Sequence, residues 1–135
     1  MGGKDKASVA IVEDDDVLVF LLREICAAAG CRVIGQSAHV ADALSLMERE
    51  QPDVLIFDFS LAGRRDGLEL LAAVRRRWPA IVTVMLTGWE RQVLAGLHDF
   101  VEPDHFLRKP VPPRILAELL AGIARDRAEA WASAA

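Results

Sequence analysis

The sequence predicts an α/β fold in which a parallel sheet of five strands carries helices on both faces. Five short apolar runs alternate with five segments of helical periodicity, the connections between them are short, and no internal repeat or linker interrupts the pattern. Strands that alternate with helices need crossover connections, which make the sheet parallel and cover both of its faces. Two doubly wound strand orders suit five strands, and 2-1-3-4-5 is the commoner.

Length and composition fit one domain. The chain has 135 residues, of which 53% are apolar, enough to form a packed core. We expect residues 1–7 to be a disordered lead-in and residues 8–124 to form the domain. Residues 125–135 are expected to be a helix extension or a tail.

Composition also argues against several classes of function. The longest uninterrupted apolar run has six residues, too few to span a membrane, and the polar start of the chain lacks a secretory signal. The net charge of −4 argues mildly against a nucleic-acid partner. Cys26 and Cys31 have no neighbouring metal-ligand pattern, so we expect buried free thiols in a cytoplasmic protein.

The first two strand–helix units are predicted as follows. Residues 9–12 form a strand that ends in four acidic residues, and Asp15 or Asp16 can cap the next helix. That helix should end at Gly30 and bury the stripe Leu18, Leu21, Leu22, Ile25 and Ala29. Residues 32–35 suit an edge strand. A second helix follows, with apolar residues at i, i+3, i+4 and i+7: Val40, Ala43, Leu44 and Met47.

The third unit begins with the apolar residues 54–57, which end abruptly in Asp58. A loop containing a glycine follows, and Asp66 with Glu69 resembles the capping box that starts a helix. The apolar stripe of this helix is Leu70, Leu71, Val74 and Trp78. Residues 75–77 are three arginines in its last turn, where cations favour the helix dipole, so we expect a solvated helix end.

The last two units complete the pattern. Residues 81–86 predict a central strand, and residues 90–97 a weak helix that is short or mobile because Gly96 and Pro103 disfavour it. Residues 105–108 predict the final strand. Pro112 and Pro113 then begin a helix whose inward residues are Ile115, Leu116, Leu119, Leu120 and Ile123.

Polar groups follow four of the predicted strands: Glu13 and Asp14, Asp58, Thr87, and Lys109. Each feature alone is typical of a solvated loop or a turn, but ligands of such sheets bind where the carboxyl ends of the strands meet. Clustered carboxylates repel one another unless a cation lies among them, and Mg²⁺ prefers such oxygen ligands. Mg²⁺ held in this way usually serves phosphates, whose remaining oxygens suit a hydroxyl and an ammonium.

These motifs resemble the receiver domain of bacterial two-component response regulators over about residues 8–124. The matching features are the sequence Val-Glu-Asp-Asp at residues 12–15, which resembles the family's acidic signature, together with Asp58, the helix start at residues 66–71, Thr87, and the pair Lys109-Pro110. The resemblance implies a flavodoxin-like fold with strand order 2-1-3-4-5. It also implies a stand-alone cytoplasmic signalling domain, similar to chemotaxis receivers, rather than an enzyme beyond Mg²⁺-dependent self-phosphorylation and slow autodephosphorylation.

The same resemblance implies the chemistry of the site. Asp58 would take a phosphoryl group from the phosphohistidine of a histidine kinase or a phosphotransfer protein. Asp14, Asp58 and the main-chain carbonyl of Ser60 would bind Mg²⁺ directly, with Glu13 acting through water. Lys109 would pair with a phosphoryl oxygen, next to a cis bond to the following proline.

The resemblance further implies a switch. Thr87 would hydrogen-bond the phosphoryl group, and Phe106 would turn inward as Thr87 moves. The face formed by the fourth helix, fifth strand and fifth helix would then change its affinity for a downstream protein target. The domain would be a monomer or a phosphorylation-dependent dimer.

The chain departs from the family at several positions. The loop after Asp58 is one residue longer than usual and carries Ala62 where proline is common, and residues 100–103 replace a small Gly-Ala pair. The resemblance implies that Ser60 and Trp89 flank the path of water to an acyl phosphate. Trp89 is expected either to shield the phosphate and prolong its lifetime or simply to pack on the surface.

Three alternatives remain at this stage. The chain could be a receiver that binds a partner without phosphorylation, or a receiver fragment of a larger regulator or hybrid kinase. A magnesium-dependent phosphatase is disfavoured, because Ser60 stands where such enzymes need a second aspartate as general acid.

Overall fold

Five strands and five helices alternate along the residues that the computed structural model describes, which are residues 6–61 and 66–134. The strands are β1 Ser8–Val12, β2 Arg32–Ser37, β3 Val54–Asp58, β4 Val82–Thr87 and β5 His105–Arg108. The helices are α1 Asp16–Ala28, α2 Val40–Arg49, α3 Asp66–Arg77, α4 Arg91–Ala95 and α5 Pro113–Ala134. None of these helices combines the length and apolarity that crossing a bilayer requires.

The sheet is parallel throughout and has the order β2-β1-β3-β4-β5, which confirms the predicted fold. At the carboxyl ends of its central strands, Val12 pairs with Phe57 and Asp58 pairs with Leu86. On the other side of β4, Thr87 pairs with Arg108. The residues that follow β1, β3, β4 and β5 therefore meet at one edge of the sheet.

Two apolar layers cover the sheet, one on each face. Every residue of β1 and β3 is buried, as expected for central strands with helices on both sides. One layer joins the sheet to α1 and α5 through Val9, Ile11, Val19, Leu22, Ile25, Leu116 and Leu120. The other joins it to α2, α3 and α4 through Ala10, Val12, Ala43, Met47, Leu70, Leu71 and Leu94.

The rotational setting of two helices differs from the prediction. In α1 the buried residues are Val19, Leu22, Ile25 and Cys26, whereas Leu21 is exposed. In α5 Leu116 and Leu120 are buried, but Ile115 is 54% exposed. The predicted stripes were wrong at both positions. Leu21 lies in the uninterrupted apolar run of residues 17–22, which has no periodicity that marks its inner face, and Ile115 lies in the first turn of α5, one position before the buried Leu116.

Several boundaries also differ from the prediction. Strand β2 ends two residues later than expected. Helix α4 covers five residues instead of the eight of the predicted segment, and its shortness was expected. Ala7, assigned to the lead-in, is buried, and its carbonyl oxygen accepts a hydrogen bond from the Arg32 N–H at 2.8 Å. The other expected lead-in residues, apart from Lys6, lie outside the described residues, as do residues 62–65.

The arginines at the end of α3 are not simply solvated. Arg75 donates to the carbonyl oxygen of Glu102 at 2.5 Å and lies 3.5 Å from the carboxylate of Asp104. Arg77 pairs with Glu48 of α2 at 2.5 Å. The carboxylate of Glu102 in turn pairs with Arg91 of α4. The prediction rested on local charge and the helix dipole alone. It therefore missed ion-pair and hydrogen-bond partners that are distant in sequence.

Both cysteines are buried and free, as predicted. Burial raises the pKa of the Cys26 thiol to about 12, and burial also raises the pKa of Cys31. The reactive thiolate is therefore scarce at neutral pH, and the two side chains serve as small apolar core residues.

Candidate functional site

Asp58 is the last residue of β3, and its carboxylate is almost completely buried at the carboxyl edge of the sheet. One carboxylate oxygen, Oδ1, accepts the Ser60 N–H at 3.0 Å. The other, Oδ2, lies 2.6 Å from the Nζ atom of Lys109. The chain beyond Asp58 is held to β4 because the Phe59 N–H donates to the carbonyl of Leu86 at 2.9 Å.

Glu13 lies beside Asp58, directly after β1, and is also buried. Its Oε2 atom accepts the N–H groups of Asp14 and Asp15 at 3.0 and 3.1 Å, and its Oε1 atom lies 3.1 Å from Lys109 Nζ. The side chain of Asp15 caps α1, as predicted, by accepting the N–H groups of its first turn. The acidic loop is thus fixed by the start of α1 on one side and by Lys109 on the other.

The electrostatics of this cluster are those of crowded carboxylates that share one ammonium. Burial, and then the charge of Asp58, raises the pKa of Glu13 to about 7, although the hydrogen bond from Lys109 opposes this. Burial by itself would lower the pKa of Lys109, but its hydrogen bonds to Asp58 and Glu13 outweigh that effect and raise it. Lys109 contacts two buried acidic side chains, and a carboxylate oxygen of Asp14 lies within 4.8 Å of those of both.

The donor set fits a divalent cation. Carboxylate oxygens of Glu13, Asp14 and Asp58 all lie within 4.8 Å of one another, and Asp14 is exposed to solvent. Hard oxygen ligands with access to water are what Mg²⁺ prefers, because it retains several of its waters. Within the described residues this is the one group of three or more metal-ligating side chains that is close enough to hold an ion.

Thr87 and Phe106 occupy different places relative to this cluster. Thr87 is buried at the end of β4; its hydroxyl accepts the Trp89 N–H at 3.0 Å, and its carbonyl accepts the Lys109 N–H at 2.7 Å. The Lys109–Pro110 bond is cis, as expected. Phe106 lies within β5 rather than at its end, where it pairs with Met85 and packs partly buried against the layer that contains α3. Glu13, Asp14, Asp58 and Lys109 are therefore together, with Thr87 at the neighbouring strand end.

Trp89 borders the site and is 54% exposed. Its side chain lines an apolar pocket of about 100 Å³ together with Phe59, Val93, Leu94 and Leu97. Phe59 directly follows Asp58, so Trp89 and the chain after the carboxylate share one pocket.

Two features next to the site were not predicted from the sequence. Val17 and Phe20 of α1 are 79% and 66% exposed and, with Leu21, form an apolar patch next to the acidic loop. Residues 17–22 are all apolar, which is more than one helix face can bury, and this indicates that some of them are exposed. Gly67 in the first turn of α3 is buried against the backbone after Asp58. The sequence feature that indicates this close approach is the glycine itself, because glycine within a helix lowers stability.

The parallel sheet and the acidic cluster define a domain of the receiver class, and comparison with known proteins identifies the family. A family model described as "Response regulator receiver domain" matches residues 9–121, so the chain belongs to this family, which carries signals in two-component systems. The predicted family is confirmed. A receiver is a signalling domain.

Curated relatives match the chain over part of their length. A protein-glutamate methylesterase/protein-glutamine glutaminase of Hahella chejuensis is 33% identical over 81 residues, which cover 60% of this chain and 23% of the relative. The DNA-binding transcriptional regulator NtrC of Proteus hauseri is 31% identical over 85 residues, which cover 62% of this chain and 17% of the relative. The matched segment spans less than a quarter of either relative.

Solved structures of the same fold match nearly the whole chain. A putative response regulator from Chloroflexus aurantiacus is 28% identical with a TM-score of 0.74, and the match covers 89% of this chain and 98% of that one. A CheY-like receiver domain protein from Methanospirillum hungatei is 26% identical with a TM-score of 0.75, with 92% and 97% covered. The response regulator PhyR from Brucella abortus, 20% identical with a TM-score of 0.78 and 98% and 55% covered, shares the fold.

Proposed function

We propose that this receiver takes a phosphoryl group onto Asp58 from the phosphohistidine of a histidine kinase or a phosphotransfer protein. The observation that carries the proposal is the position of Asp58, a buried carboxylate at a strand end, 2.6 Å from Lys109 and among further carboxylates. A carboxylate at a strand end can act as the nucleophile, and the ammonium of Lys109 partly balances its charge.

Mg²⁺ would be held by Asp14, Asp58 and the main-chain carbonyl of Ser60, with Glu13 acting through water. Support comes from the oxygen cluster of the three acidic residues and from the bond between the Ser60 N–H and Asp58, which keeps the Ser60 backbone beside that carboxylate. When bound, the ion supplies positive charge to the phosphoryl oxygens.

The transfer is a displacement at phosphorus. A carboxylate oxygen of Asp58 forms the new O–P bond, the N–P bond of the phosphohistidine breaks, and its electron pair stays on the imidazole nitrogen, which takes up a proton. The ammonium of Lys109 then exchanges its contact with the carboxylate for one with a phosphoryl oxygen. Positioning and charge neutralisation provide most of the catalysis in such transfers.

Thr87 and Phe106 would convert the modification into a change of surface. A hydroxyl that accepts a hydrogen bond can still donate one, so Thr87 has a hydrogen available for a phosphoryl oxygen. Its movement would affect the end of β5, because Thr87 pairs with Arg108 and its carbonyl accepts the N–H of Lys109, the residue after β5. We therefore assign the face formed by α4, β5 and α5 to a downstream protein target, with dimerisation as a second possible outcome of phosphorylation.

The phosphoryl donor would dock on the apolar patch of Val17, Phe20 and Leu21. These residues stand at i, i+3 and i+4 on one face of α1, immediately after the acidic loop. A panel of autophosphorylated histidine kinases should identify a donor, and Phe20→Asp should slow transfer from that protein but not from acetyl phosphate. Trp131→Asp is the matched control, because Trp131 is equally exposed at the far end of α5.

The experiment that tests the proposal is intact-mass analysis after incubation with acetyl phosphate, with and without Mg²⁺. One phosphate increment that requires Mg²⁺ and is lost in Asp58→Asn is the expected result. A folded protein that binds Mg²⁺ and gains no phosphate would favour a receiver that acts without phosphorylation. Such a result would direct attention to the longer loop after Asp58.

A further inference from the structure

The start of α3 approaches the backbone around Asp58 too closely for any side chain. A methyl carbon placed on Gly67 would lie 2.4 Å from the carbonyl oxygen of Asp58. It would also lie 2.6 Å from both the Cα atom and the carbonyl oxygen of Phe59. Carbon and oxygen atoms prefer about 3.5 Å, so these contacts are strongly repulsive.

The approach is part of the structure on both sides. The Gly67 N–H donates to the Phe59 carbonyl at 2.9 Å, which joins the helix start to the chain after β3. Leu68, Leu70 and Leu71 hold α3 in the core, and the bond from Phe59 to Leu86 holds the other side. By contrast, a methyl carbon on Gly35 would meet only the tip of the Leu46 side chain, which can rotate away.

We infer that Gly67 is a positioning residue for the metal and phosphoryl site, because it sets where the Asp58–Ser60 backbone lies. This inference rests on the proposed function, in which Asp58 and the Ser60 carbonyl bind Mg²⁺. Any side chain at position 67 must displace either the anchored helix or the three-residue segment Asp58–Ser60 that carries those ligands. A shift of the Asp58–Ser60 segment would move both proposed ligands.

Mg²⁺ and Ca²⁺ distinguish this role from a general contribution to folding. Mg²⁺ requires near-octahedral geometry with short bonds of about 2.1 Å, whereas Ca²⁺ accepts longer bonds and irregular geometry. A displaced Ser60 carbonyl should therefore weaken Mg²⁺ binding more than Ca²⁺ binding. A loss of stability alone, in protein that is still folded, does not change the ratio of the two affinities.

The test is calorimetric titration of the full chain with Mg²⁺ and with Ca²⁺, comparing wild type, Gly67→Ala, Leu68→Ala and Gly122→Ala. Gly67→Ala should weaken Mg²⁺ binding by about tenfold or more, a typical cost of disturbing the support of a metal ligand, and should lower the Mg²⁺/Ca²⁺ affinity ratio. Leu68→Ala loses buried contacts in the same turn and should keep the wild-type ratio. Gly122→Ala should behave as wild type, since a methyl carbon there meets only the Arg125 side chain at 3.7 Å.

Wild-type Mg²⁺ affinity and an unchanged ratio in Gly67→Ala would overturn the inference, as would an equal change of ratio in Leu68→Ala. If Gly67→Ala does not fold, the titration is made on the double variant with Gly122→Ala, which adds helix propensity in α5. Failure of the wild type itself to bind Mg²⁺ would instead overturn the proposed function, so the two failures are distinguishable.

Discussion

The ammonium of Lys109 lies 2.6 Å from Oδ2 of Asp58 and also 3.1 Å from Oε1 of Glu13, so one cation balances two buried carboxylates. These three side chains join the carboxyl ends of β1, β3 and β5. In the sheet, β1 and β3 are neighbours, and β4 lies between β3 and β5. Stability without metal and affinity for a divalent cation are therefore coupled through Lys109.

Replacing Lys109 with Gln should separate these two properties. Removal of the ammonium leaves Glu13 and Asp58 to repel each other, and we expect the metal-free protein to lose about 2 kcal/mol, less than for a fully buried pair because Lys109 is partly exposed. Mg²⁺ should then stabilise the variant more than the wild type, since no cation competes with it. Thermal unfolding with and without Mg²⁺ measures both effects. Lys6→Gln, at an exposed position, is the control, and equal Mg²⁺ stabilisation in all three proteins would contradict the expectation.

Glu13 should make the stability of the metal-free protein depend on pH. Its pKa is raised from 4.5 to about 7 in the folded protein, so the folded state binds more protons than the unfolded state between these values. Stability should therefore fall as pH rises from about 4.5 to about 7, by up to about 3 kcal/mol. Denaturant unfolding at a series of pH values measures the slope.

Two variants check the assignment to Glu13. Glu13→Gln should remove this part of the pH dependence, whereas Glu129→Gln, at an exposed position of α5, should keep it. Asp58→Asn removes one charge that raises the pKa of Glu13, so it should shift the slope toward lower pH. The same slope in wild type and Glu13→Gln would show that another group is responsible.

Trp89→Ala should shorten the lifetime of the phosphorylated protein. The exposed ring borders the strand end beside Asp58, and removing it opens the approach of water, which we expect to speed hydrolysis by about fivefold, ~1 kcal/mol in the barrier. The rate follows from the loss of the phosphate increment over time after removal of the donor. Val93→Ala changes the same apolar pocket from α4 and should hydrolyse at the wild-type rate. Unchanged hydrolysis in Trp89→Ala would leave the residue as a surface-packing group.

Arg127 should anchor the C-terminal part of α5 to the edge of the sheet where the strands begin. Arg127 pairs with the carboxylate of Asp53, which also accepts the N–H and hydroxyl of Ser8 at 2.7 and 3.1 Å. The main-chain carbonyl of Asp53 accepts the Val82 N–H. Arg127→Ala should lower the free energy of unfolding by about 1 kcal/mol, since the pair is partly exposed. The exposed Arg125→Ala is the control in thermal unfolding, and equal melting temperatures would contradict the role.

The carboxyl edge of the sheet was predictable because the signals are local. Residues 54–58 form a buried strand that ends in a carboxylate, and the acidic run after β1 is equally abrupt, so the parallel topology brings Glu13, Asp14 and Asp58 together. Lys109 was also expected at this edge. Its contact with Glu13 was not, because the prediction assigned the ammonium to a phosphoryl oxygen alone.

The features that escaped prediction depend on the rotation of a helix or on contacts between distant segments. The apolar run at the start of α1 has no polar interruption, so nothing in it distinguishes the buried Leu22 from the exposed Leu21. The partners of Arg75 and Arg127 are 29 and 74 positions away, as the residue numbers of Asp104 and Asp53 show, and no local pattern encodes them. The approach of Gly67 to Asp58 likewise becomes visible only when α3 is docked on the sheet.

The central claim is that Asp58 carries the phosphoryl group, and locating the modified atom tests it most directly. Reduction of an acyl phosphate with borohydride converts an aspartyl phosphate into homoserine, which peptide mass spectrometry can assign to one position. After treatment with acetyl phosphate and Mg²⁺, we predict homoserine at position 58 and unmodified aspartate at positions 14 and 66. Homoserine at another position, or none in a protein that has gained a phosphate, would contradict the account.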